Sequence, residues 1–502
     1  MNLTTVFFPN TLIRTFVGLF ACASLASAAD KAPDILFIFA DDQAFSTIHA
    51  LGNDEIETPN LDRLVKRGTT FTHAYNMGSW SGAVCVASRH MLNTGLYVWN
   101  AKKAADQLGG GRKKAAKGKT VAGSAGAAAN FQQRGLMWSQ LMAKAGYDTY
   151  FTGKWHVKAK ADEIFKVSRN IRPGMPNQTP QGYNRPIDGQ PDVWSPYDKK
   201  FGGFWKGGRH WSAIVADDAE EYLKMAKASE NPFFMYVAFN AAHDPRQAPK
   251  EYVDKYPLDK ISLPKNFLPE YPWNEEMNSG RKLRDERLAP FPRTEHAIKV
   301  NLQEYYALIT HMDAQIGRIL KALDDSGRAD NTWIFFTADH GLAIGQHGLM
   351  GKQNMFEHSL RVPFMVVGPG VEKDRRVDTR IYLQDVMPTS LKLAGSEIPQ
   401  HVQFQSLLPL LSGKEKGARD AIYGAYLTGQ RAVIVGDYKL ILYPKAPKAL
   451  LFNLKSDPLE MHDILPQEKE RAKSLFQRLL KLQKETGDEF DLQAAYPELV
   501  GK

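Results

Sequence analysis

Cysteine is nearly missing from this 502-residue chain, which contains only Cys22 and Cys85. So few thiols exclude a disulfide scaffold, and no C-x-x-C or H-E-x-x-H pattern signals zinc. Past the N-terminus there is no run of 18 or more apolar residues, so no membrane-spanning helix is expected in the body of the chain. Internal repeats and heptads are also absent. The composition, 43% hydrophobic, 11% aromatic and 24% charged, excludes disordered and collagenous classes. At about 150 residues per domain, the length suits roughly three domains or one large domain with a smaller partner.

The first 28 residues carry one charge, Arg14, then an apolar run from Thr15 to Leu25 and the small-residue site Ala26-Ser27-Ala28. This pattern reads as a secretory signal peptide, so the mature protein is expected in the periplasm or outside the cell. A lipid anchor at Cys22 is disfavoured by Phe20. Loss of Arg14 lowers the formal charge from +9 to +8 and leaves Cys85 with no partner for an internal disulfide. The remaining excess charge is concentrated in residues 101–130, where Lys102, Lys103, Arg112, Lys113, Lys114, Lys117 and Lys119 face a single acid, Asp106. This Gly/Ala/Lys-rich stretch reads as a flexible surface insertion or as an electrostatic funnel for a polyanion. It has no interleaved aromatics, which argues against nucleic acid as the partner.

Continuous apolar strands alternate with helices: Asp34 to Ala40, Tyr147 to Phe151, Phe233 to Phe239, Trp333 to Thr337 and Val362 to Val367, with a long amphipathic helix over Leu302 to Leu323. The alternation predicts an α/β fold with a mostly parallel sheet. Beyond about residue 405, three short strands and a helix over Glu468 to Glu485 suggest a small antiparallel α+β subdomain. The expected boundaries are 1–28 for the signal peptide, 29–405 for a catalytic domain containing the basic insertion, and 406–502 for the subdomain.

Four polar clusters follow four of these strands: Asp41-Asp42, Lys154 with His156, His243, and Asp339-His340. Parallel strands would bring all four to one sheet edge, where open α/β sheets bind ligands. Singly, each also reads as a turn, a cap or a packing residue. The carboxylates of Asp41, Asp42 and Asp339 suit a hard cation, calcium or magnesium, over zinc. With a helix starting near Ser88, Cys85 would sit at its N-terminus with Arg89 on the same side, an arrangement that suits an activated thiolate.

Cys85-Val86-Ala87-Ser88-Arg89 followed by Thr94-Gly95 resembles the sulfatase motif C-x-P/A-S-R-x(4)-T-G. DILFIFADD, ETPNLDRLVKRGTTFTHAY, GKWH, AAHDP and TADHGLAIGQHGLMGK resemble further sulfatase segments in the same order, along most of the chain. The resemblance implies an alkaline-phosphatase-like α/β domain with a small antiparallel C-terminal subdomain. It also implies hydrolysis of sulfate esters, with Cys85 converted to formylglycine by a formylglycine-generating or anaerobic sulfatase-maturating enzyme. By the same resemblance, Asp41, Asp42, Asp339, His340 and residue 85 bind Ca2+, with Mg2+ as an alternative. One hydroxyl of the hydrated aldehyde attacks sulfur. Arg89, Lys154 and Lys352 stabilise charge, His243 is the general acid, with Lys352 as an alternative, and His156 is the base that releases sulfate.

Ala87 stands where proline is commoner, which bears on the maturation system, and His340 stands where many members have Asn. Trp194, Trp205, His210 and Trp211 in the long 157–215 segment, with Arg246 and His347, are candidate substrate-binding residues. Together with export and the basic insertion they favour a sulfated polysaccharide or oligosaccharide over a small aryl sulfate. The alternatives are a phosphodiesterase or phosphonate hydrolase of the same superfamily, or a catalytically silent polyanion-binding protein.

Overall fold

The computed structural model describes residues 1, 2, 4, 5, 31–108, 129–414 and 419–500. Residues 32–502 form one compact unit, and everything below concerns it. The expected signal peptide, apart from residues 1, 2, 4 and 5, and residues 109–128 of the basic insertion lie outside the described residues. Among the described residues, no helix is long and apolar enough to cross a membrane.

In chain order the main elements are β1 (Asp34–Ala40), α1 (Pro59–Arg67), β2 (Thr69–Phe71), β3 (Gly78–Ser79), α2 (Val84–Thr94), α3 (Val98–Leu108), β4 (Asp148–Lys154), β5 (Val167–Arg172), α4 (Trp211–Lys227), β6 (Phe233–Ala238), α5 (Glu295–Ser326), β7 (Thr332–Ala338), β8 (Phe364–Val367) and β9 (Arg375–Val377). The C-terminal part adds β10 (Ala421–Tyr426), β11 (Gln430–Val435), β12 (Tyr438–Tyr443), β13 (Lys448–Asn453) and α6 (Lys469–Thr486).

The main sheet has eight strands in the order β9-β2-β8-β7-β1-β6-β4-β5. The five strands from β7 to β5 run parallel. β8 is antiparallel to both of its neighbours. All seven residues of β1 and of β7 are buried, because helices cover both faces of the sheet. Burying each large apolar side chain stabilises the fold by about 1.5–3 kcal/mol, which makes this central run the anchor of the domain.

Helix α5 packs against α4 and α1 and buries the expected stripe of Tyr305, Ile309, Met312, Ile316, Ile319 and Leu323. It begins seven residues before the expected Leu302, because the Thr294 hydroxyl accepts a hydrogen bond from the Ala297 N–H and caps the first turn. Gly327, at φ 76°, closes the other end in the left-handed conformation that a Cβ disfavours.

The single strand expected over Val362 to Val367 is instead two. Arg361–Val362 pairs with Ala74–Tyr75 in a small sheet, and β8 joins the main one. Pro363 separates them, since it has no N–H to give either ladder. The basic stretch also starts in a helix rather than a loop, with α3 running to Leu108. The C-terminal sheet, β13-β12-β11-β10-β3, has a fourth C-terminal strand beyond the three expected. It takes β3 in parallel against Ala425 and Tyr426. This tie is functional in consequence, because β3 leads directly into α2 and Cys85.

Candidate active site

The four strands that carry the polar clusters are mutually parallel neighbours, so their carboxyl ends open on one edge. Asp41 and Asp42 follow β1, Lys154 is the last residue of β4, His243 follows β6 and Asp339 follows β7. The loops are stitched together by the backbone: the Asp41 N–H donates to the Ala241 carbonyl at 2.9 Å and the Asp339 N–H to that of Ala40 at 3.2 Å. Asp42 turns at φ 58°. Its carbonyl accepts from the Tyr305 hydroxyl of α5 at 2.5 Å, so the long helix fixes this strained turn from below.

Cys85 lies in the first turn of α2, which starts at Val84 rather than near Ser88. Its Sγ is buried, 3.4 Å from His340 Nε2 and 3.6 Å from Lys352 Nζ. Lys352 Nζ donates to both oxygens of Asp42, at 2.9 and 2.6 Å. Lys154 donates to Asp41 Oδ2. Arg89 Nε donates to Asp339 Oδ2 at 3.1 Å and Nη1 to the Lys154 carbonyl at 2.6 Å. His243 sets Nδ1 against Asp244, 3.1 Å from Oδ1, and Nε2 3.7 Å from Asp42 Oδ2. Cys85, His156, His243 and Lys352 line one cavity of about 200 Å³.

The packed charges set the protonation states. Burial pushes the Cys85 thiol up and Asp41 adds to this, but the charges of Lys154, Lys352 and His340 outweigh both and hold it well below its ordinary value. Burial works against a charged His243, yet Asp42 and Asp244 raise its pKa to about 10. His340 is likewise raised, to about 9, by Asp339 and Asp42 against burial. Asp42 moves the other way for an acid, up to about 6, because its desolvation exceeds the pull of His243, Lys352 and His340.

One ligand atom each from Asp41, Asp42, residue 85 and His340 lies within 4.8 Å of the others. Asp41 Oδ1 is buried and accepts no hydrogen bond. A buried carboxylate oxygen without a donor is costly unless a cation completes it, so these residues fit a hard divalent ion. His340 would give up its proton to such an ion. Asp339 stands beside this set, with Oδ1 3.4 Å from His340 Nε2 and 3.2 Å from the Asp42 N–H that donates to it.

The expected substrate contacts are not brought to this cavity. His210 is buried, donates from Nε2 to the Gln247 carbonyl at 2.7 Å and caps α4 through Nδ1. Trp211 packs under the Arg172 guanidinium at 3.8 Å, and buried Trp194 under Arg185 at 4.6 Å. Arg246 is buried and donates to Asn301 at 2.7 Å. His347 lies flat on Phe356, with ring centroids 3.9 Å apart, on the side of the C-terminal sheet.

Conversely, sequence reasoning did not single out Asp244, Arg284, Asp285 or Gln353. Arg284 pairs with Asp244 and Asp285. Gln353 donates to Asp285 Oδ2 at 2.7 Å and to the Gly82 carbonyl at 3.1 Å. They brace His243 and Lys352 from loops without periodicity, and only the adjacency of Asp244 to His243 was a readable signal.

Residues 33–396 match the sulfatase family model, and residues 345–485 match the model described as N-sulphoglucosamine sulphohydrolase, C-terminal. The chain is 27% identical over 488 residues to an arylsulfatase of Clostridium perfringens, covering 89% of this chain and 94% of the relative. It is 24% identical over 559 residues to an N-acetylglucosamine-6-O-sulfatase of Bacteroides thetaiotaomicron, covering 96% and 92%. Among solved structures, one in complex with its substrate D-glucosamine-2-N,6-O-disulfate shares the fold at TM-score 0.66 and 20% identity, over 91% of this chain and 99% of that one. With the family model spanning most of the chain and Cys85 placed among buried acids, lysines and histidines at the strand ends, this protein belongs to the sulfatase family, enzymes that hydrolyse sulfuric esters.

Proposed function

We propose that this sulfatase removes sulfate from a sulfated polysaccharide or oligosaccharide, outside the cytoplasm, using calcium and a formylglycine formed from Cys85. One observation carries the chemistry: Cys85 is buried where ligand atoms of Asp41, Asp42 and His340 converge, and with Lys352 it lines a single small cavity. The carbohydrate reading is supported by the N-acetylglucosamine-6-O-sulfatase relative, and export by the signal-like first 28 residues.

When formed, the hydrated aldehyde would supply a hydroxyl nucleophile, and a bound cation would supply positive charge that offsets the charge of the sulfate ester. Asp41, Asp42, Asp339, His340 and residue 85 would hold the cation. Lys352 and Lys154, fixed by Asp42 and Asp41, present preorganised positive charge to the transferring group, as does Arg89. His243 lines the cavity, and the carboxylates of Asp42 and Asp244 beside it favour its imidazolium form, which hands a proton to the departing alcohol oxygen. His156 lines the same cavity with Nδ1 unpartnered, ready to accept the proton released when sulfate leaves.

The test compares sulfate and phosphate esters of one alcohol on protein from the native host, with mass spectrometry of the peptide holding residue 85. Faster sulfate turnover and an aldehyde at position 85 are expected. Faster phosphate turnover, or only free thiol in active protein, overturns the reading.

A further inference from the structure

A second hollow, of about 600 Å³, opens between α3 and the C-terminal sheet. Three aromatic side chains, Trp80, Trp99 and Phe490, and three cations, Arg431, Lys102 and Lys103, line it. The aromatic wall is prebuilt. Arg431 donates to both oxygens of Asp488, at 2.7 and 2.8 Å, and its guanidinium sits 5.0 Å from the Trp99 ring and 5.3 Å from that of Phe490. Trp99 is pinned by donating to the Tyr423 hydroxyl at 2.9 Å. Lys102 and Lys103 are exposed, and their ion pairs with Asp106 and Glu489 are surface pairs of little energy, so both ammonium groups are free to turn toward an anion.

The hollow adjoins the catalytic cavity through two pieces of wall. Trp80 lies two residues before Gly82, which lines the catalytic cavity, so their Cα atoms are at most about 7 Å apart. Gln353, also in that cavity, donates to the Gly82 carbonyl at 3.1 Å and accepts through its own carbonyl from Gln430, the neighbour of Arg431, at 2.8 Å. The two hollows therefore share a stretch of wall, Trp80 to Gly82 backed by Gln353.

We infer that the hollow is a second carbohydrate subsite, in which Trp80, Trp99 and Phe490 stack on a sugar ring and Lys102 and Lys103 pair with its sulfate. The occupant is a sulfated sugar unit of the same glycan whose target ester lies at residue 85, so the inference rests on the carbohydrate reading above. Aromatic faces with a few fixed polar groups are the usual makeup of a small-molecule pocket. Mobile lysines at the rim give charge attraction without rigid geometry.

The test uses Trp80→Ala, Trp80→Phe and the double variant Lys102→Ala/Lys103→Ala, none of them in the catalytic cavity. Probes are 4-nitrophenyl sulfate and size-defined sulfated hexasaccharides from heparin, chondroitin sulfate and carrageenan. On the hexasaccharide that the wild type hydrolyses, Trp80→Ala and the lysine pair should each lower kcat/KM about tenfold, through KM. Trp80→Phe should keep most of the activity, and 4-nitrophenyl sulfate turnover should not change. Equal losses on both substrates, or none on the hexasaccharide, overturn the subsite. Tryptophan fluorescence titration with the same hexasaccharides reads binding without turnover. Should the wild type hydrolyse no sulfate ester, the proposed function fails while the titration still decides the subsite. Binding that weakens about tenfold in the two variants supports it, and binding to none of the probes, or equal binding by all proteins, overturns it.

Discussion

Two of the buried clusters of charged side chains among the described residues are finished differently. Under the C-terminal sheet, Lys439 donates to Glu357 and Glu460, at 2.8 Å each. The remaining oxygens are also used: Glu357 accepts from the Tyr75 hydroxyl at 3.1 Å, and Glu460 from the Glu357 N–H at 2.6 Å. At the strand ends, by contrast, Asp41 Oδ1 and Arg89 Nη2 are buried and face each other at 3.7 Å without either making a hydrogen bond, and Cys85 stands among charges on the wall of a cavity. A closed network satisfies its own charges and holds elements together. An open one keeps unmet valence for something that binds, and its cost is carried by the rest of the fold.

The largest effect should come from the open cluster. Cys85→Ala should lower sulfate-ester turnover on the order of 10⁴-fold or more, as removal of a nucleophile does, while urea unfolding changes little. Activity within about tenfold of wild type would remove residue 85 from the chemistry. The closed cluster should answer in the opposite currency. Lys439→Met leaves two carboxylates buried and unpaired, and should cost about 3–5 kcal/mol in unfolding free energy, with kcat of the folded fraction unchanged. A variant as stable as wild type would show that the closed network holds nothing.

An added ion separates the clusters a third way. In protein stripped with EDTA, calcium at 100 times its dissociation constant should stabilise the fold by about 2.7 kcal/mol, read as a rise in Tm. Asp41→Asn should abolish that rise and Glu460→Gln should leave it intact. A rise that survives Asp41→Asn would move the ion away from the open cluster, and a larger rise with magnesium would reassign it.

How much of this was readable from sequence divides along the same line. The acids and His243 of the open cluster were legible because they sit at or just past the ends of apolar strands, and parallel pairing carries such positions to one edge, whereas Cys85, Arg89 and Lys352 were legible through the motifs that resemble the family. The closed cluster left no trace, since Glu357, Lys439 and Glu460 lie on different elements, and long-range pairing has no period. His347 shows the boundary. It lies seven residues after His340 in a motif that reads as active site, but Ile344, Gly345, His347 and Gly348 all take positive φ, and the chain turns away to the second sheet. Similarly, β3 is too short to show a strand pattern, yet it binds the C-terminal sheet to the approach to Cys85.

His347 also gives the smallest test, because it belongs to the closed side and titrates. Its Nε2 faces the Glu460 carbonyl at 3.1 Å, an acceptor only, so Nε2 carries the hydrogen and Nδ1 is an acceptor, 3.4 Å from the Asn266 amide nitrogen and 3.4 Å from His358 Nε2. Burial, helped by the Lys439 charge and opposed by the Glu460 carbonyl, lowers the His347 pKa to about 4. The unfolded chain therefore binds this proton first. The stability that neutral His347 contributes is complete above its unfolded value of about 6.5 and is lost as pH falls toward 4. Between pH 6.5 and pH 5 the loss from this residue is roughly 1.5 kcal/mol. His347→Gln, which can still donate to Glu460, should be less sensitive to acid over that window by about this amount in urea titrations at the two pH values. Equal sensitivity in both proteins would mean that His347 reaches solvent and its proton. The second cluster would then be open too, and the contrast between the two would fail at that residue.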